Sequence, residues 1–438
     1  ALDKLIGLQL RLKNWQGLLD VYSRKADILN DSEQKKALFA KVGEVYEREL
    51  RQADKAIETY QRILELDPVD AVALGRLDAL YLAAENWDEL SSILEREADL
   101  APDASAALGF RYRFGEVFET KLGDAFRAVE VYREILDSMP DHGLAQAALE
   151  RMISAGKEPV QAAKVLEPIY RAGAESAKLV GVLEVLARHE EDPIQRVDFL
   201  HQISELHDVH LEQPRAAFDA CARALPYDNA NEQTLSTLER LAEQLGAFGD
   251  LVKLYDAEIA RLRTDSPDVA TELALRLAKI CEVQIGSVDA AIERYRVVFD
   301  LDPARGDALE ALDRLYLASE RWEPLAEVIA READVAASPD DVLSLQFRLG
   351  QLHQHMLGNV SRAIEQYREI LAAAPEHEAA LGALEALFAQ GVEPAVIGSI
   401  LEPLYRMQDA WEKLVGVQEV MLGRQSDADE RIATLHRI

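Results

Sequence analysis

Histidines and cysteines are the residues of this sequence that could bind a metal or act as nucleophiles. His207 and His210 are three residues apart and could share one helix face, a spacing that suits a metal site. His201 lies nearby, but solvated or capping histidines explain the group equally well. Cys221 and Cys281 form no CxxC pair and fall on helical patterns, which is typical of small buried residues. We therefore predict no metal site and no cofactor.

Catalytic motifs are missing from the sequence as well. It has no GxGxxG, GxxxxGKS/T, HExxH or GxSxG segment, so no phosphate-binding loop, zinc-protease site or hydrolase site is indicated. Asp and Glu are so abundant that any pair of carboxylates is weak evidence for acid–base chemistry. We predict a protein that is not an enzyme.

The charge of the chain points to the kind of partner. The formal net charge is −31 and the pI is near 4.7, with no Lys/Arg-rich run of the kind that nucleic-acid binders carry. An anionic membrane surface would repel such a chain. Two interpretations stay open: the charge keeps the protein soluble, or it favours a basic partner. We expect protein or peptide partners, including basic segments, with no nucleic acid and no membrane insertion.

Length and composition favour an open helical array. The 438 residues exceed the roughly 250–300 at which a single core stops growing. Ala, Leu, Glu and Arg dominate, which favours helices and a bacterial source. No apolar run reaches membrane-spanning length. The start, Ala1-Leu2-Asp3, has neither a signal peptide nor an initiator Met and indicates an excerpt of a longer protein. Two cysteines in so long a chain fit a reducing, cytoplasmic compartment.

A long internal repeat organises the chain. Residues 77–101 and 312–336 are closely similar at a shift of 235 residues, and the same shift relates Asp67-Pro68 to Asp302-Pro303. A block of about 235 residues has therefore been duplicated. We predict one continuous solenoid made of a first block, residues 1–235, and an incomplete second copy, residues 236–438.

A shorter period lies inside each block. Pro68 and Pro140 are 72 residues apart, as are Pro303 and Pro375. Each 72-residue unit contains two halves of about 34–38 residues. Asp before Pro68 and Pro303 suits the capping of the next helix.

One half of each unit has the pattern of a known helical repeat. Ala56, Tyr60, Ile63 and Pro68 follow one another as in the second helix of a tetratricopeptide repeat. Their spacing also forms one apolar helix face, which a stacked neighbour must cover. The chain thus resembles the tetratricopeptide repeat superfamily, in its long bacterial form, over nearly its whole length. The resemblance implies an all-α, right-handed superhelical solenoid of stacked antiparallel helix hairpins without β-sheet. The spacing between first and second helices is one residue longer than in the family.

The regular period fails once in each block, near residues 158–173 and 393–407. There the repeat interval is 89 residues instead of 72. Glu158-Pro159 predicts a helix start, and Pro168 predicts a kink or a break within that helix. We interpret the segment as an extra helix that changes the stacking angle, with a docking site formed by the irregularity as the alternative.

The resemblance also implies a binding face, because first helices line the concave groove in this superfamily. Residues that flank the small residue of each first helix would project there. The candidate partner-binding residues are Glu44, Glu47, Tyr112, Glu116, Glu119, Phe347, Gln351 and Gln354. Family members that clamp a C-terminal carboxylate use Lys, Asn or Arg at such positions, whereas this chain has Glu and Gln. We expect a basic or mixed ligand segment; solvated charges without a ligand are the alternative.

Three functions are compatible with these observations. The first is a non-enzymatic protein-interaction scaffold with an acidic surface, within a larger multiprotein assembly. The second is a structural subunit that self-associates, which a strictly monomeric protein at high concentration would contradict. The third is a regulatory arm of a multidomain enzyme or signalling protein, which requires a catalytic segment elsewhere in the full-length product.

Overall fold

The protein is helical throughout the part of the chain that its computed structural model describes, residues 2–424. No β-strand occurs between those residues, as predicted. The chain divides into two compact units, Ala1–Asp228 and Asn229–Ile438. The predicted block boundary at residue 235 falls inside a helix, because a repeat period fixes a length and not a starting point.

The first unit contains the helices α1 (Leu2–Arg11), α2 (Trp15–Ile28), α3 (Ser32–Glu44), α4 (Ala53–Leu66), α5 (Ala71–Ala83), α6 (Trp87–Asp99), α7 (Ala104–Val117), α8 (Ala125–Ser138), α9 (Gly143–Ser154), α10 (Pro159–Ala172), α11 (Ser176–His189), α12 (Pro193–Glu205) and α13 (Pro214–Ala224). The described part of the second unit contains α14 (Glu232–Leu245), α15 (Phe248–Asp265), α16 (Pro267–Val283), α17 (Val288–Leu301), α18 (Gly306–Ala318), α19 (Trp322–Val335), α20 (Pro339–His355), α21 (Val360–Ala373), α22 (Glu378–Ala389), α23 (Pro394–Met407) and α24 (Trp411–Arg424).

Within each unit, helices that follow one another along the chain pack against each other, so each unit is an α-solenoid. Short polar turns separate the helices, and side-chain caps mark where many begin. Asp70 accepts a hydrogen bond from Ala73 N at 2.9 Å at the start of α5, and Asp103 accepts one from Ala106 N at 2.8 Å at the start of α7. Asp67 does not cap a helix as expected. It accepts from Val69 N within the turn and pairs with Lys36.

Each regular hairpin is held by a small residue on the first helix and a tyrosine on the second. Tyr60, on α4, is 1% exposed, and a Cβ added to Gly43 would lie 2.6 Å from its ring. Gly115 meets Tyr132 in the same way, at 2.7 Å. The absence of a side chain therefore allows the ring of the second helix to lie directly on the backbone of the first.

The extra residue between first and second helices is accommodated by wide turns of π-helix. They cover Val45–Leu50, Phe118–Leu122 and Leu206–His210, directly after α3, α7 and α12. A π-helical turn inserts one residue without ending the helix. A residue with a left-handed backbone conformation follows each of these turns and the corresponding ends of α16 and α20. These residues are Arg51, Gly123, Glu212, Gly286 and Gly358. The long spacing seen in the sequence is thus a widened helix end.

The irregular segment of each block is an unbroken helix, α10 in the first unit and α23 in the second. Pro168 lies inside α10 and Pro403 inside α23, so neither helix breaks at its proline, and of the predicted kink or break only the break is wrong. Both prolines are exposed, which keeps their rings out of the packed face. Four helices lie between α7 and α12, whereas three lie between α3 and α7. Each unit therefore contains one helix more than a regular pairing would give.

Candidate interaction surface

Four exposed residues occupy the same place on the first helices of the regular hairpins. Each directly follows the small residue that packs on the tyrosine of the next helix, and each side chain points to solvent. They are Glu44 on α3, Glu116 on α7, Lys279 on α16 and Gln351 on α20. We call Glu44 with Glu116, and Lys279 with Gln351, the first-helix face of their respective units. Among the described residues, none of them has a side-chain hydrogen bond or ion pair.

The candidates one turn further along have a different role. Glu47 accepts a hydrogen bond from the Tyr60 hydroxyl at 3.1 Å, and Gln354 accepts one from Tyr367 at 2.9 Å. These residues are separated by thirteen positions in both hairpins. They bind the second helix of their own hairpin, so their acceptor groups are engaged inside the protein.

Glu119 is the most enclosed of the sequence-predicted candidates. Its side chain is 5% exposed, and it accepts from Tyr132 at 2.9 Å and from Arg151 Nη2 at 2.6 Å. Burial alone would raise the pKa of Glu119, but the hydrogen bonds from Arg151 and Tyr132 outweigh it and lower that pKa. Burial and the adjacent carboxylate raise the pKa of Tyr132 in turn. This charged group stabilises the junction of α7, α8 and α9.

The two aromatic candidates lie between the surface and the core. Tyr112 is half-buried, with its ring centroid 5.8 Å from that of Tyr132 and 6.1 Å from that of His142. Phe347 has the same environment in the second unit, 5.7 Å from both Tyr367 and His377. Both rings are half-buried and lie four residues before Glu116 and Gln351, so they can add apolar contact area on the same side of the helix.

An ion pair that sequence reasoning missed lies beside this face. Arg113 donates two hydrogen bonds to Asp78, both of 2.7 Å, and so joins α7 to α5. Arg348 and Asp313 repeat the arrangement at 2.7 and 2.8 Å. The 235-residue shift relates Asp78 to Asp313 and Arg113 to Arg348, so both partners of the ion pair recur in the second copy. This recurrence is the sequence signal from which the ion pair could have been predicted.

A buried carboxyl group accompanies each ion pair. Glu97, on α6, is 9% exposed and its Oε2 has no hydrogen-bond partner among the described residues. Burial and the nearby Asp78 raise the pKa of Glu97 to about 7, although Arg113 opposes the shift. In the second unit, burial and Asp313 raise the pKa of Glu332 to about 7 against the effect of Arg348.

The second unit has a cavity next to its part of the face. Its volume is about 990 Å³, and α14, α16 and the turn before α18 surround it, with Lys279 on its lining. Arg276 bonds to Glu232 at 2.6 Å and also to Glu239, while Arg305 bonds to Glu272 at 2.6 Å. The guanidinium groups of this cavity are thus held by carboxylates, whereas Lys279 is exposed.

The residues considered for chemistry do not form a site. His207 Nδ1 lies 3.1 Å from Gln213 Oε1 in the turn after α12. In residues 2–424, no three His, Cys, Asp or Glu side chains are placed to hold a metal ion. Cys221 and Cys281 are buried and form no disulfide, and burial raises the pKa of Cys281. No helix in the same range is long and apolar enough to span a membrane.

Each unit is a stack of hairpins of amphipathic helices in which a small residue of one helix faces a tyrosine of the next. This arrangement defines a protein built from helical repeats. The family model described as tetratricopeptide repeat matches residues 29–68, which hold α3, its π-helical turn and α4. The match identifies residues 29–68 as similar to a tetratricopeptide repeat, which supports the resemblance predicted from the sequence in this segment.

Comparison with solved structures gives matches of low sequence identity and low TM-score. The human IFIT1 dimer with m7Gppp-AAAA is 12% identical, with 90% of this chain and 90% of that chain covered and a TM-score of 0.24. The TPR domain of P58(IPK) is 15% identical, with 86% and 99% covered and a TM-score of 0.21. MamA is 18% identical, with 39% and 95% covered and a TM-score of 0.22. No protein with a curated description matches the sequence.

Proposed function

We propose that this protein is a non-enzymatic scaffold that binds other proteins or peptides along its first-helix face. The observation that carries the proposal is the separation of roles within each first helix. Glu47, Glu119 and Gln354 bond to the tyrosine of their own hairpin, whereas Glu44, Glu116 and Gln351 point outward without a partner among the described residues. The outward set repeats from hairpin to hairpin, as a surface that follows an extended ligand must.

The acidic character of the chain supports basic or mixed segments as ligands. Glu44 and Glu116 are exposed carboxylates, and Tyr112 adds a partly accessible ring beside Glu116. Charge of one sign along a surface attracts a segment of the opposite sign and sets its orientation. An aromatic group within such a surface supplies the apolar contact that anchors it.

Peptide selection on the immobilised chain tests the scaffold proposal independently of charge. Peptides from a displayed random library are selected, and their dissociation constants are measured for two variants. Glu116→Trp places a bulky side chain on the first-helix face. Glu134→Trp removes the same charge from the exposed side of α8. We expect at least about tenfold weaker binding for Glu116→Trp and little change for Glu134→Trp. Equal effects of the two variants, or a failure to select any peptide, contradict the proposal.

A further inference from the structure

A basic cavity lies in the first unit, between the second half of α11, the start of α12 and the end of α13. Its volume is about 560 Å³, and its charged lining residues are Glu184, Arg188, Arg196 and Arg223. Among the described residues, Glu184 is the one carboxylate on this lining. Small apolar side chains and the ring of Tyr227 form much of the rest. This region is therefore positively charged in a chain whose formal net charge is −31.

Two of the arginines are held in place by the surrounding helices. Arg223 donates two hydrogen bonds to Glu184, of 2.8 and 2.7 Å, and so joins α13 to α11. Arg196 donates to the Tyr227 hydroxyl at 2.7 Å and to the backbone carbonyl of Glu190, and its Cζ lies 4.8 Å from the centre of the Tyr227 ring. The acceptors of Arg196 are thus a hydroxyl and a carbonyl oxygen, and its buried Nε has no acceptor among the described residues. These contacts orient the guanidinium of Arg196 without neutralising its charge.

Arg188 supplies a second charge that no carboxylate neutralises. Its side chain is exposed near the end of α11 and has no hydrogen bond or ion pair among the described residues. The acidic residues of the next turn do not line the cavity. There Glu190 accepts from the backbone N–H groups of Glu191 and Asp192, and Asp192 caps α12 by accepting from Ile194 N at 3.0 Å. Arg188 and Arg196 therefore both present positive charge to the cavity without a carboxylate partner among the described residues.

Other groups of three helices in the chain lack this set of arginines. The repeat intervals relate α11, α12 and α13 to α2, α3 and α4, to α6, α7 and α8, and to α19, α20 and α21. In these three groups, the positions of Arg188, Arg196 and Arg223 are occupied by Asp27, Lys35 and Arg62, by Asp99, Ala107 and Glu134, and by Asp334, Val342 and Glu369. An aspartate thus stands at the position of Arg188 in all three. The packing of such a group does not require an arginine there, so the three arginines are a property of this cavity and not of the repeat.

We propose that this cavity binds an acidic segment of a partner protein and holds a carboxylate of that segment between Arg188 and Arg196. Guanidinium groups match the geometry of carboxylates and can donate two hydrogen bonds to one of them. Each terminal nitrogen of Arg196 carries two hydrogens and uses one of them within the protein, so one on each nitrogen is left for a ligand. The Tyr227 ring, which is 46% exposed, adds contact area for the apolar part of the segment.

The acidic character of the rest of the chain does not prevent this binding. The Debye length is about 8 Å at physiological ionic strength, so exposed carboxylates further away than this are largely screened. The charges that decide binding are then those on the lining of the cavity, where arginine predominates. The site lies apart from the first-helix face and takes a ligand of the opposite charge, so it extends the proposed function to a second class of partner segment.

Fluorescence anisotropy with the whole chain and a rhodamine-labelled hexaglutamate peptide tests the proposal at physiological ionic strength. Labelled hexaglutamine has nearly the same shape without the charge and serves as the neutral probe. The first variant is Arg188→Asp, which introduces the residue found at the corresponding position of the other three groups of helices. The control is Arg24→Asp, which changes the net charge equally at an exposed site of α2. The third variant, Arg188→Lys, keeps the charge and removes the two-pronged geometry.

We expect the wild type to bind hexaglutamate and not hexaglutamine. Arg188→Asp should bind hexaglutamate at least about tenfold more weakly, because it replaces an attraction by a repulsion, whereas Arg24→Asp should stay within about twofold of the wild type. Arg188→Lys should stay within about fivefold. Equal weakening by Arg188→Asp and Arg24→Asp overturns the proposal, and so does wild-type binding that fails to distinguish the two peptides. The absence of hexaglutamate binding by the wild type overturns it as well. The scaffold proposal is unaffected by these outcomes, because Glu116→Trp and Glu134→Trp test a different surface.

Discussion

The two units share several side-chain contacts at equivalent positions and differ at other positions. Tyr170 donates to Glu150 at 2.5 Å in the first unit, and Tyr405 donates to Glu385 at 2.6 Å in the second. Lys178 and Lys413 stand beside these carboxylates in the same way. In contrast, Glu44 corresponds to Lys279. A buried polar group that loses its partner is costly, whereas an exposed charge can be reversed at little expense in stability. The change from Glu44 to Lys279 is therefore expected to cost little in stability.

The largest expected effect concerns the glycine beneath the tyrosine. Gly115→Ala would bring a methyl group to 2.7 Å from the Tyr132 ring, and we expect a loss of about 1–3 kcal/mol in the free energy of unfolding, measured with urea. Gly350 fills the corresponding place in the second unit, where an added Cβ would lie 2.6 Å from the Tyr367 ring, so the two hairpins are packed equally closely. The control is Gly109→Ala on the same helix, where no atom lies within 4 Å and helix propensity favours Ala. Unchanged stability of Gly115→Ala contradicts the close-packing argument.

The next effect concerns the duplicated ion pairs. A double-mutant cycle with Asp78→Ala and Arg113→Ala should give a coupling energy of about 1–2 kcal/mol, since the pair is bidentate and Asp78 is 14% exposed. The same cycle on Asp313 and Arg348 should agree within about 0.5 kcal/mol. The exposed pair of Glu58 and Arg62, with exposures of 64% and 56%, should give only about 0.3–0.5 kcal/mol. Unequal coupling in the two copies would break the view that their interiors are equivalent.

The pH dependence of stability tests the buried carboxyl groups. The pKa of Glu97 is raised to about 7 from an ordinary value of 4.5, so the folded state holds its proton over a range in which the unfolded state has lost it. Glu97 therefore lowers stability progressively as pH rises from about 4.5 to about 7, and the penalty is complete above that. Glu97→Gln should remove this dependence and raise stability at pH 8 by about 1 kcal/mol. Glu89→Gln, at an exposed site of α6, is the control. Parallel pH profiles for wild type and Glu97→Gln would falsify the assignment.

The smallest expected effect belongs to the first-helix face. Glu44→Lys and Gln351→Lys should change the free energy of unfolding by no more than about 0.5 kcal/mol, because neither side chain has a partner among the described residues. Urea unfolding measures this. A loss of more than about 1 kcal/mol from either variant would show a structural role and sharpen the boundary between surface and core.

Local patterns in the sequence were sufficient for the helices and their pairing. Ala56, Tyr60 and Ile63 mark one buried face, and all three are at most 3% exposed. The duplicated block and the longer first-to-second spacing were also visible, although the spacing became intelligible only as a π-helical turn. Of the kink or break predicted at Pro168, the break does not occur, since the exposed position of the ring lets the helix continue past the missing hydrogen bond.

What the sequence alone determined is the solenoid class, because helical period, capping residues and repeat length are properties of short segments or of their recurrence. It could not separate Glu44 from Glu47, or Glu116 from Glu119, which lie one turn apart on the same side of a helix. Only the tertiary structure decided that one member of each pair bonds to a tyrosine thirteen residues later and that the other faces solvent. Likewise, Asp78 and Arg113 are 35 residues apart, and their contact exists because two hairpins stack. The neighbour that a side chain contacts depends on how the helices pack. Two carboxylates one turn apart can therefore have different roles, one as an internal hydrogen-bond acceptor and the other as an exposed charge.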